Sequence, residues 1–441
     1  MQIKKSLFPQ YYGLQFKRMN AKFYSLFWLL MLGIMACSCE NPDNVIEKEI
    51  DVPVAKVNYA YQREGENLYI AYNDGCGTEY CYWFTKCMAN NLYTFFRAGF
   101  RPVADRDYPS TTGISSQLGI SNINVVYSDN IGPILFTSTA GQGGTSFVGG
   151  NHHYPNETDA SIYLTAENVS FDIFADRKTV LDGDSGLCSS LSVLVHNTIF
   201  DPGYVPEEGS TSLSVPLVDE YVTYGIVKNN IEVDLKHKYA SNAQGRVNTY
   251  YGMQSMCHDE EYIMTPNGLR TNWYPCTDDP FTKSAYPNFN RYIEKNATTG
   301  YYQSSYLLTD FGLGKHDKID DDDFIFIRSW GKCYHHLMSN IDIKGGEVYQ
   351  WSGVYTFFNQ PIIDDDYLFV YSGVVRGKDV LFVNSKQAFS GSIPFPIEFV
   401  YKKVSVIENN GFAVNDDGFK NYGGGIYVES NSPSSLILQF E

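Results

Sequence analysis

Glu220-Tyr-Val-Thr-Tyr-Gly-Ile-Val-Lys-Asn-Asn-Ile-Glu-Val-Asp-Leu-Lys-His-Lys-Tyr239 reads as two strands around a turn. Ile231, Val233 and Leu235 alternate with Glu232, Asp234 and Lys236, a period of two that sets an apolar row on one face and a charged row on the other. Lys228-Asn229-Asn230 between the two runs supplies the hairpin turn. The same signal recurs upstream. Ile162, Leu164, Val169, Phe171 and Ile173 oppose Ser170, Asp172 and Phe174, a turn follows at Asp182-Gly183-Asp184, and Leu191 to Asn197 is the next strand. Leu68 to Tyr72 alternates and stops at Asn73-Asp74-Gly75, while Asn122 to Thr137 reads as two strands about a central turn. Tyr80 to Phe100 is long enough for a helix, but Leu92, Thr94 and Phe96 line one strand face, so it reads mostly as strand. Downstream, Glu347–Phe358, Tyr367–Val375, Val380–Asn384, Phe395–Val406, Gly425–Glu429 and Ser435–Phe440 repeat the theme. With 35 Tyr and 28 Phe favouring pleated sheet, and 37 Gly and 18 Pro supplying turns, the fold class is all-β. The expected architecture is an antiparallel β-sandwich, one large or two packed, with long loops and no helix of more than about four turns beyond the start of the chain. No heptad, solenoid period, glycine-rich phosphate loop or Gly-x-Ser-x-Gly elbow is present, which removes nucleotide and α/β-hydrolase chemistry.

The first residues are an address. Met19 to Lys22 is a short basic start, Phe23 to Met35 is an apolar run suited to a signal-peptide core, and Ala36 precedes Cys37. This resembles a bacterial lipoprotein signal, in which the cysteine is cleaved and acylated. Cys37 is the expected lipidation site, with Cys39 as a second frame; Met35 departs from the family's pattern. Ser38 to Asp43 is small, polar and acidic, as in lipoproteins that Bacteroides-like bacteria show on the outer face of the outer membrane, so the resemblance implies a lipid-anchored, surface-facing location. Residues 1–36 hold five basic and no acidic side chains, so their removal leaves 28 basic against 50 acidic residues, a charge of −22. That excess repels nucleic acid and favours neutral over strongly anionic glycans. The expected organisation is a signal segment over 1–36, a tether over 37–54, a β-sandwich domain over 55–314 and a C-terminal β domain, or second half of the sandwich, over 315–441.

Cys76-x4-Cys81-x5-Cys87 is the tightest cysteine cluster. Its spacings miss the usual zinc pairs and no histidine is near, so one local disulfide is the expectation there, and buried free thiols elsewhere. Asp317 to Asp323 offers hard oxygens to calcium but lacks the glycine turn and terminal glutamate of an EF-hand loop, and reads as a solvated charge run. No other cofactor is implied.

The stretch with the richest chemistry is Phe147-Val-Gly-Gly-Asn-His-His-Tyr-Pro-Asn-Glu157. Gly149 and Gly150 permit close approach, and Asn151, His152, His153 and Tyr154 follow on a strand-to-loop corner. Either the corner binds a glycan or other ligand, or its histidines only bond the loop. The succession Asp129-Asn-Ile-Gly-Pro133, Phe147 to His152, Thr165-Ala166 leading into Phe171 to Asp176, and Tyr250-Tyr-Gly-Met-Gln254 resembles a pattern in uncharacterised bacterial and bacteriophage tail-associated β-sandwich proteins. The resemblance spans roughly Ser121 to Asn272 and implies handling of surface polysaccharide, with no settled chemistry. His153 stands where similar sequences often carry glycine, which crowds the corner. On the strand from Arg246 to Met256, parity puts Asn248, Tyr250 and Gln254 on one face, the set expected to complete a sugar cleft. The turn-rich run Cys257 to Tyr306 is expected to cap it with Trp273, Tyr274 and Tyr286. Arg328, Lys332, His335 and His336 form a second reactive-looking patch.

Three function classes follow. A surface lipoprotein that binds polysaccharide or oligosaccharide needs only stacking aromatics and a few polar groups, and is preferred because it asks least of the sequence. The alternative is a polysaccharide-cleaving enzyme. As a lyase, His152 or His153 would take a proton beside a uronic carboxylate, Tyr250 would protonate the leaving oxygen, and Asn151, Arg328 or Lys332 would neutralise the carboxylate. As a glycoside hydrolase, Glu157 and Asp159 are the carboxylates to consider. The third class is a structural or adhesive surface protein.

Overall fold

The structure is a computed structural model that describes residues 58–87, 89–103, 108–115, 131–154, 162–204, 206–256, 261–266, 271–275, 290–297, 299–308, 325–328, 332–414 and 424–441. These belong to one folded unit, Ala55–Glu441. Cys37, the signal segment, the tether and the acidic run Asp317 to Asp323 lie outside the described residues.

The expected all-β class is what the chain adopts, with every named sheet pairing antiparallel. Among the described residues, helix is limited to a turn at Ile114 and Ser115 and a 3-10 turn at Ile397–Phe399. At the centre is a ten-stranded sheet, in the order Lys178–Thr179, Ala166–Ala175, Leu191–Phe200, Pro216–Val227, Asn230–Tyr239, Val348–Phe358, Tyr301–Leu308, Arg291–Asn296, Glu261–Met264, Tyr274–Pro275. The hairpin read from the sequence forms its middle. Ile231 pairs with Ile226, Val233 with Tyr224 and Leu235 with Val222 on the buried face, while Lys236 pairs with Tyr221 on the open one. Lys228 makes the turn with a left-handed φ of +56°.

Two five-stranded sheets cover the inner face of the central sheet and share one core with it. The N-terminal sheet runs Ser185–Cys188, Tyr59–Glu64, Asn67–Asn73, Thr78–Cys87, Leu92–Pro102. The other, which carries the histidine corner at its edge, runs Ile325–Arg328, Lys332–Lys344, Gln244–Met256, Ile134–Ser138, Gly144–Val148. On the outer face, Val354, Phe358, Tyr302 and Tyr306 pack against Phe369, Tyr371 and Phe382 of a C-terminal sheet. That sheet's other side closes on a three-stranded one through Leu381, Val383, Ile426, Val428 and Leu438. Sheets therefore stack in layers, each burying one apolar row of its neighbour.

Two expectations are corrected, the capping loop and the local disulfide. The run Cys257 to Tyr306 contributes strands, not only a capping loop: Glu261–Met264, Tyr274–Pro275, Arg291–Asn296 and Tyr301–Leu308 extend the central sheet. Trp273 is half-buried, with its ring 5.1 Å from Phe369 edge-on and Lys295 above it, so it fastens the C-terminal sheet; Tyr286 lies outside the described residues. Strands on either side of residue 315 pair with one another, Lys332–Lys344 with Gln244–Met256 and Val348–Phe358 with Asn230–Tyr239. The C-terminal layers begin only with Ile363–Asp364. The local disulfide fails on geometry. Cys81 and Cys87 sit on one extended strand, roughly 20 Å apart at about 3.3 Å per residue, and a bridge needs Cα atoms within about 7 Å. Cys76 is an exposed free thiol in the preceding turn, and Cys188 and Cys333 are the expected buried ones.

Among the described residues, fifteen tyrosines are buried. Tyr82, Tyr93, Tyr224, Tyr239, Tyr250, Tyr292, Tyr355 and Tyr371 are fully enclosed, and pairs such as Tyr93–Phe171, 3.9 Å between ring centroids, stack between layers. Burial pushes the Tyr59 phenol from its ordinary value near 10 up to about 12, against the partial relief of the Lys228 backbone N–H, and raises Tyr82, Tyr250 and Tyr355 further still. The unfolded chain releases these protons from about pH 10, whereas the folded protein holds them. Stability is thus unaffected by them below pH 10 and falls as pH rises through Tyr59's value near 12. That one residue accounts for roughly 2–3 kcal/mol by pH 12. Absorbance near 295 nm is expected to rise in two stages, a reversible one for exposed tyrosines and a cooperative one coinciding with loss of the β circular-dichroism signal. A single smooth titration without unfolding would contradict the enclosure of these phenols.

Candidate functional site

The histidine corner begins where Gly144–Val148 ends, as the apolar pair Phe147-Val148 implies. Gly149 and Gly150 both take left-handed φ values, +76° and +49°, and turn the chain back. The close approach that these glycines permit is directed inward. A Cβ on Gly149 would lie 3.0 Å from Ile199 Cδ1, and the Gly149 N–H donates to Thr165 Oγ1 at 3.1 Å.

Asn90 holds the corner from beneath. Its Nδ2 donates to the carbonyls of Gly150 at 2.8 Å and His152 at 3.0 Å, and its Oδ1 accepts from the Thr165 N–H at 2.9 Å. Asn90 and Thr165 are buried, so these backbone polar groups are satisfied away from water. Asn151 Oδ1 accepts from the Ala89 N–H at 3.0 Å, and His153 Nε2 donates to the Ala89 carbonyl at 3.2 Å. His152 stacks on Phe147, 4.8 Å between centroids. His153–Tyr154 then pairs with Tyr163–Leu164, which sets Tyr154 directly opposite Tyr163. Asn151, His152, His153, Tyr154 and Tyr163 are all half-exposed. The corner is thus a small amphipathic surface on a rigid base: two tyrosines opposite one another on paired strands, an imidazole stacked on Phe147, and backbone geometry fixed by buried hydrogen bonds. Asn151 and His153 serve that base. Tyr154 and Tyr163 keep half-exposed side chains above it.

The remaining candidates lie elsewhere. Tyr250 is completely buried; its hydroxyl donates to the Ile131 carbonyl at 2.7 Å and accepts from Trp351 Nε1 at 2.9 Å. Burial first, then the Glu220 carboxylate, holds its pKa well above the ordinary phenol value, with the Trp351 N–H opposing. A phenol so enclosed does not face a sugar cleft, which corrects the parity reading. The reason is a bulge: Val247 opposes Phe136 and Thr249 opposes Leu135, so Asn248 is an extra residue and Tyr250 joins Val247 on the core face. Gln254 is buried too; its carbonyl accepts from the Tyr355 hydroxyl at 3.0 Å, and its Nε2 finds no hydrogen-bond partner among the described residues. His335 and His336 are enclosed at 1% and 4% exposure, His335 beside Ser305 Oγ and Tyr292, His336 against Tyr251. Arg328 pairs with Lys332 across neighbouring strands, and their side chains lie outside the described residues. The two histidines of the second patch are therefore core and do not join the corner.

Sequence reasoning missed Asn90, Thr165 as its partner, Tyr163, and a polar row on the inner face of the central sheet. Asn168, Asn197, Glu220 and His237 are directly opposite one another on successive strands. Asn168 Nδ2 donates to Asn197 Oδ1 at 3.0 Å, Asn197 Nδ2 to Glu220 Oε1 at 2.9 Å, and His237 Nε2 to Glu220 Oε2 at 2.7 Å. Glu220 and His237 are about 1% exposed. Their signal was readable: both occupy the apolar parity of the hairpin, where Val222, Tyr224, Val233 and Leu235 also point. Among the described residues, no group of three His, Cys, Asp or Glu side chains is placed to hold a metal ion.

No family model and no curated protein matches the chain. Solved structures with similar arrangements include the α-galactosidase from Lactobacillus brevis, at 11% identity and a TM-score of 0.35, covering 69% of this chain and 40% of that one. The galactosidase domain of the α-galactosidase–sucrose kinase AgaSK gives 10% identity, a TM-score of 0.35, and coverage of 65% and 41%. The GH36 α-galactosidase AgaB from Geobacillus stearothermophilus gives 10%, 0.34, and coverage of 70% and 40%. The chain spans about two fifths of the length of each, and at this likeness no residue's role carries over.

Proposed function

We propose that this protein is a lipoprotein, anchored through Cys37 in the outer membrane and facing the cell exterior, that binds a neutral polysaccharide or oligosaccharide at the histidine corner. The observation that carries this reading is the pairing of half-exposed Tyr154 and Tyr163 beside the stacked His152, all on a base locked by Asn90 and Thr165. Aromatic faces next to a few polar groups on a preorganised loop suit sugar rings. Binding without cleavage is favoured because the phenol asked to act as acid, Tyr250, is sealed in the core. The charge of the chain after residue 36 argues for a neutral ligand.

The test is a glycan array on the acylated protein, followed by titration of any hit. Tyr154→Ala, Tyr163→Ala and His152→Ala are each expected to weaken binding by about tenfold, or ~1.4 kcal/mol, while the melting temperature stays within about 2 °C. A hit whose affinity ignores all three changes would overturn the assignment. New reducing ends or unsaturated products would instead favour the cleaving enzyme.

A further inference from the structure

Arg291 opens the strand Arg291–Asn296, and the C-terminal layers enclose its side chain at 2% exposure. Its Nη2 donates to Asn384 Oδ1 at 2.8 Å, and its guanidinium lies over the Phe382 ring, 4.8 Å from the centroid. A ring against the face of a guanidinium leaves the N–H edges untouched. Nε and Nη1 find no hydrogen-bond partner among the described residues. The groups in contact are neutral. Tyr371, whose hydroxyl shares a 2.7 Å hydrogen bond with Ser304 Oγ, has its pKa raised by burial, with the Arg291 cation opposing, and so supplies no counter-charge. Glu408 reaches the same boundary between layers, but its carboxylate is engaged elsewhere: Oε2 accepts from Asn290 Nδ2 at 2.9 Å and the Tyr306 hydroxyl at 3.1 Å, and Oε1 from Asn410 Nδ2 at 3.1 Å. A guanidinium keeps its charge, and a buried cation without a bonded counter-charge costs far more than an unmet neutral donor.

A second buried group belongs to the same place. Ser435 is directly opposite Asn384 on the neighbouring strand, which sets the two side chains about 5 Å apart on one face of the C-terminal sheet. That face looks toward the central sheet, because Phe382 and Ile437, two residues along the same strands, pack with Tyr306 and Val354. Ser435 Oγ is fully buried and also finds no hydrogen-bond partner among the described residues.

We propose that Arg291 and Ser435 bind one small free oxyanion, of the carboxylate, sulfate or phosphate class, between the central and C-terminal sheets. Charge and donor type select the class. Arg291 Nε and Nη1 and the Ser435 hydroxyl are all donors, one group is cationic, and charge-assisted hydrogen bonds to an oxyanion are the strong ones. Enclosure selects the size: a guanidinium 2% exposed admits a free ion, not a polymer. Because Arg291 belongs to the central sheet and Ser435 to the C-terminal one, the ion is a clamp between layers. An ion that binds only the folded chain raises its stability in step with occupancy.

The full chain is melted in HEPES, whose sulfonate is carried on a bulky ring, while sodium sulfate, phosphate or acetate is added at millimolar concentrations. At least one of these ions is expected to raise the melting temperature by about 3 °C and then saturate. Arg291→Met should abolish the rise. Ser435→Ala removes only a hydroxyl without a described partner, so it should fold, and it should raise the half-saturating concentration about tenfold, which a merely structural serine would not do. No rise, a rise that does not saturate, or one equal in the parent and Arg291→Met is a general salt effect at most and overturns the site. If Arg291→Met does not fold, Ser435→Ala decides: an unchanged half-saturating concentration overturns the site as well. Sodium glucuronate acting where none of the three free ions does would put the carboxylate on a sugar and overturn the free-ion assignment.

Discussion

Replacing Gly132 by alanine is expected to prevent stable folding, a loss of more than about 4 kcal/mol. Gly132 has φ +78°, and an added Cβ would stand 1.3 Å from the Tyr251 carbonyl oxygen, far inside van der Waals contact. The obstructing atom is backbone and has no rotamer to change. Nor can the strand Gln244–Met256 step back, because the neighbouring Ile131 carbonyl accepts the Tyr250 hydroxyl, which also holds Trp351. The strand is already contorted here: Met253 has φ +52°, and its sulfur occupies the space over Gly353. Gly65 has a similar φ of +59° with nothing within 4 Å, so Gly65→Ala should cost only about 1 kcal/mol. Denaturant midpoints of the two variants measure the contrast. A Gly132→Ala protein with a near-native midpoint would mean that the contact between these two motifs is not formed.

That contact also shows what the sequence could and could not convey. Asp129 to Pro133 and Tyr250 to Gln254, which stood out as a pattern, meet in space through Ile131, Gly132, Tyr250 and Tyr251, but their meeting builds the core. The middle hairpin was legible because its one open face leaves a wet row against a buried one. Tyr301–Leu308 was not: sheets cover both of its faces, so Gln303, Ser304 and Ser305 are as buried as Tyr302 and Leu307, and alternation disappears. The pairing across residue 315 was not legible for a related reason. The strands that tie the chain together across residue 315 pair with partners about 100 residues away, and local composition carries no trace of that.

For the corner, the residue types announced a tight turn, and the turn exists. Two glycines reveal that a backbone needs room, but they do not say on which side. Here the crowded side is the interior, against Ile199 and Thr165. Tyr250 was placed on the wrong face because period-two reasoning assumes an unbroken strand, and the extra residue at Asn248 resets the phase.

Asn90→Ala is the second large effect, and it joins stability to the site. The side chain is 2% exposed and bonds to Gly150, His152 and Thr165, while its Oδ1 lies 3.3 Å from the Ala166 N–H as well. Alanine cannot replace any of these bonds, and it leaves the Thr165 N–H and the Gly150 carbonyl in a dry environment. At about 1–3 kcal/mol for each buried group left unsatisfied, the expected loss is about 3–5 kcal/mol. Asn90→Asp should be little better, because it keeps the acceptor but turns a carboxylate toward two carbonyl oxygens. The His152 carbonyl would keep its bond from Thr165 Oγ1. The corner then loses the fixed geometry that presents Tyr154 and Tyr163, so any glycan affinity should fall by at least about tenfold in the fraction that remains folded. Hydrogen exchange separates the two consequences. Amides from Gly149 to Tyr154 should exchange faster in Asn90→Ala, while those of Leu368–Val375, in the C-terminal layers, keep wild-type protection under native conditions. A variant with wild-type stability and unchanged exchange at the corner would show that Asn90 does not hold it.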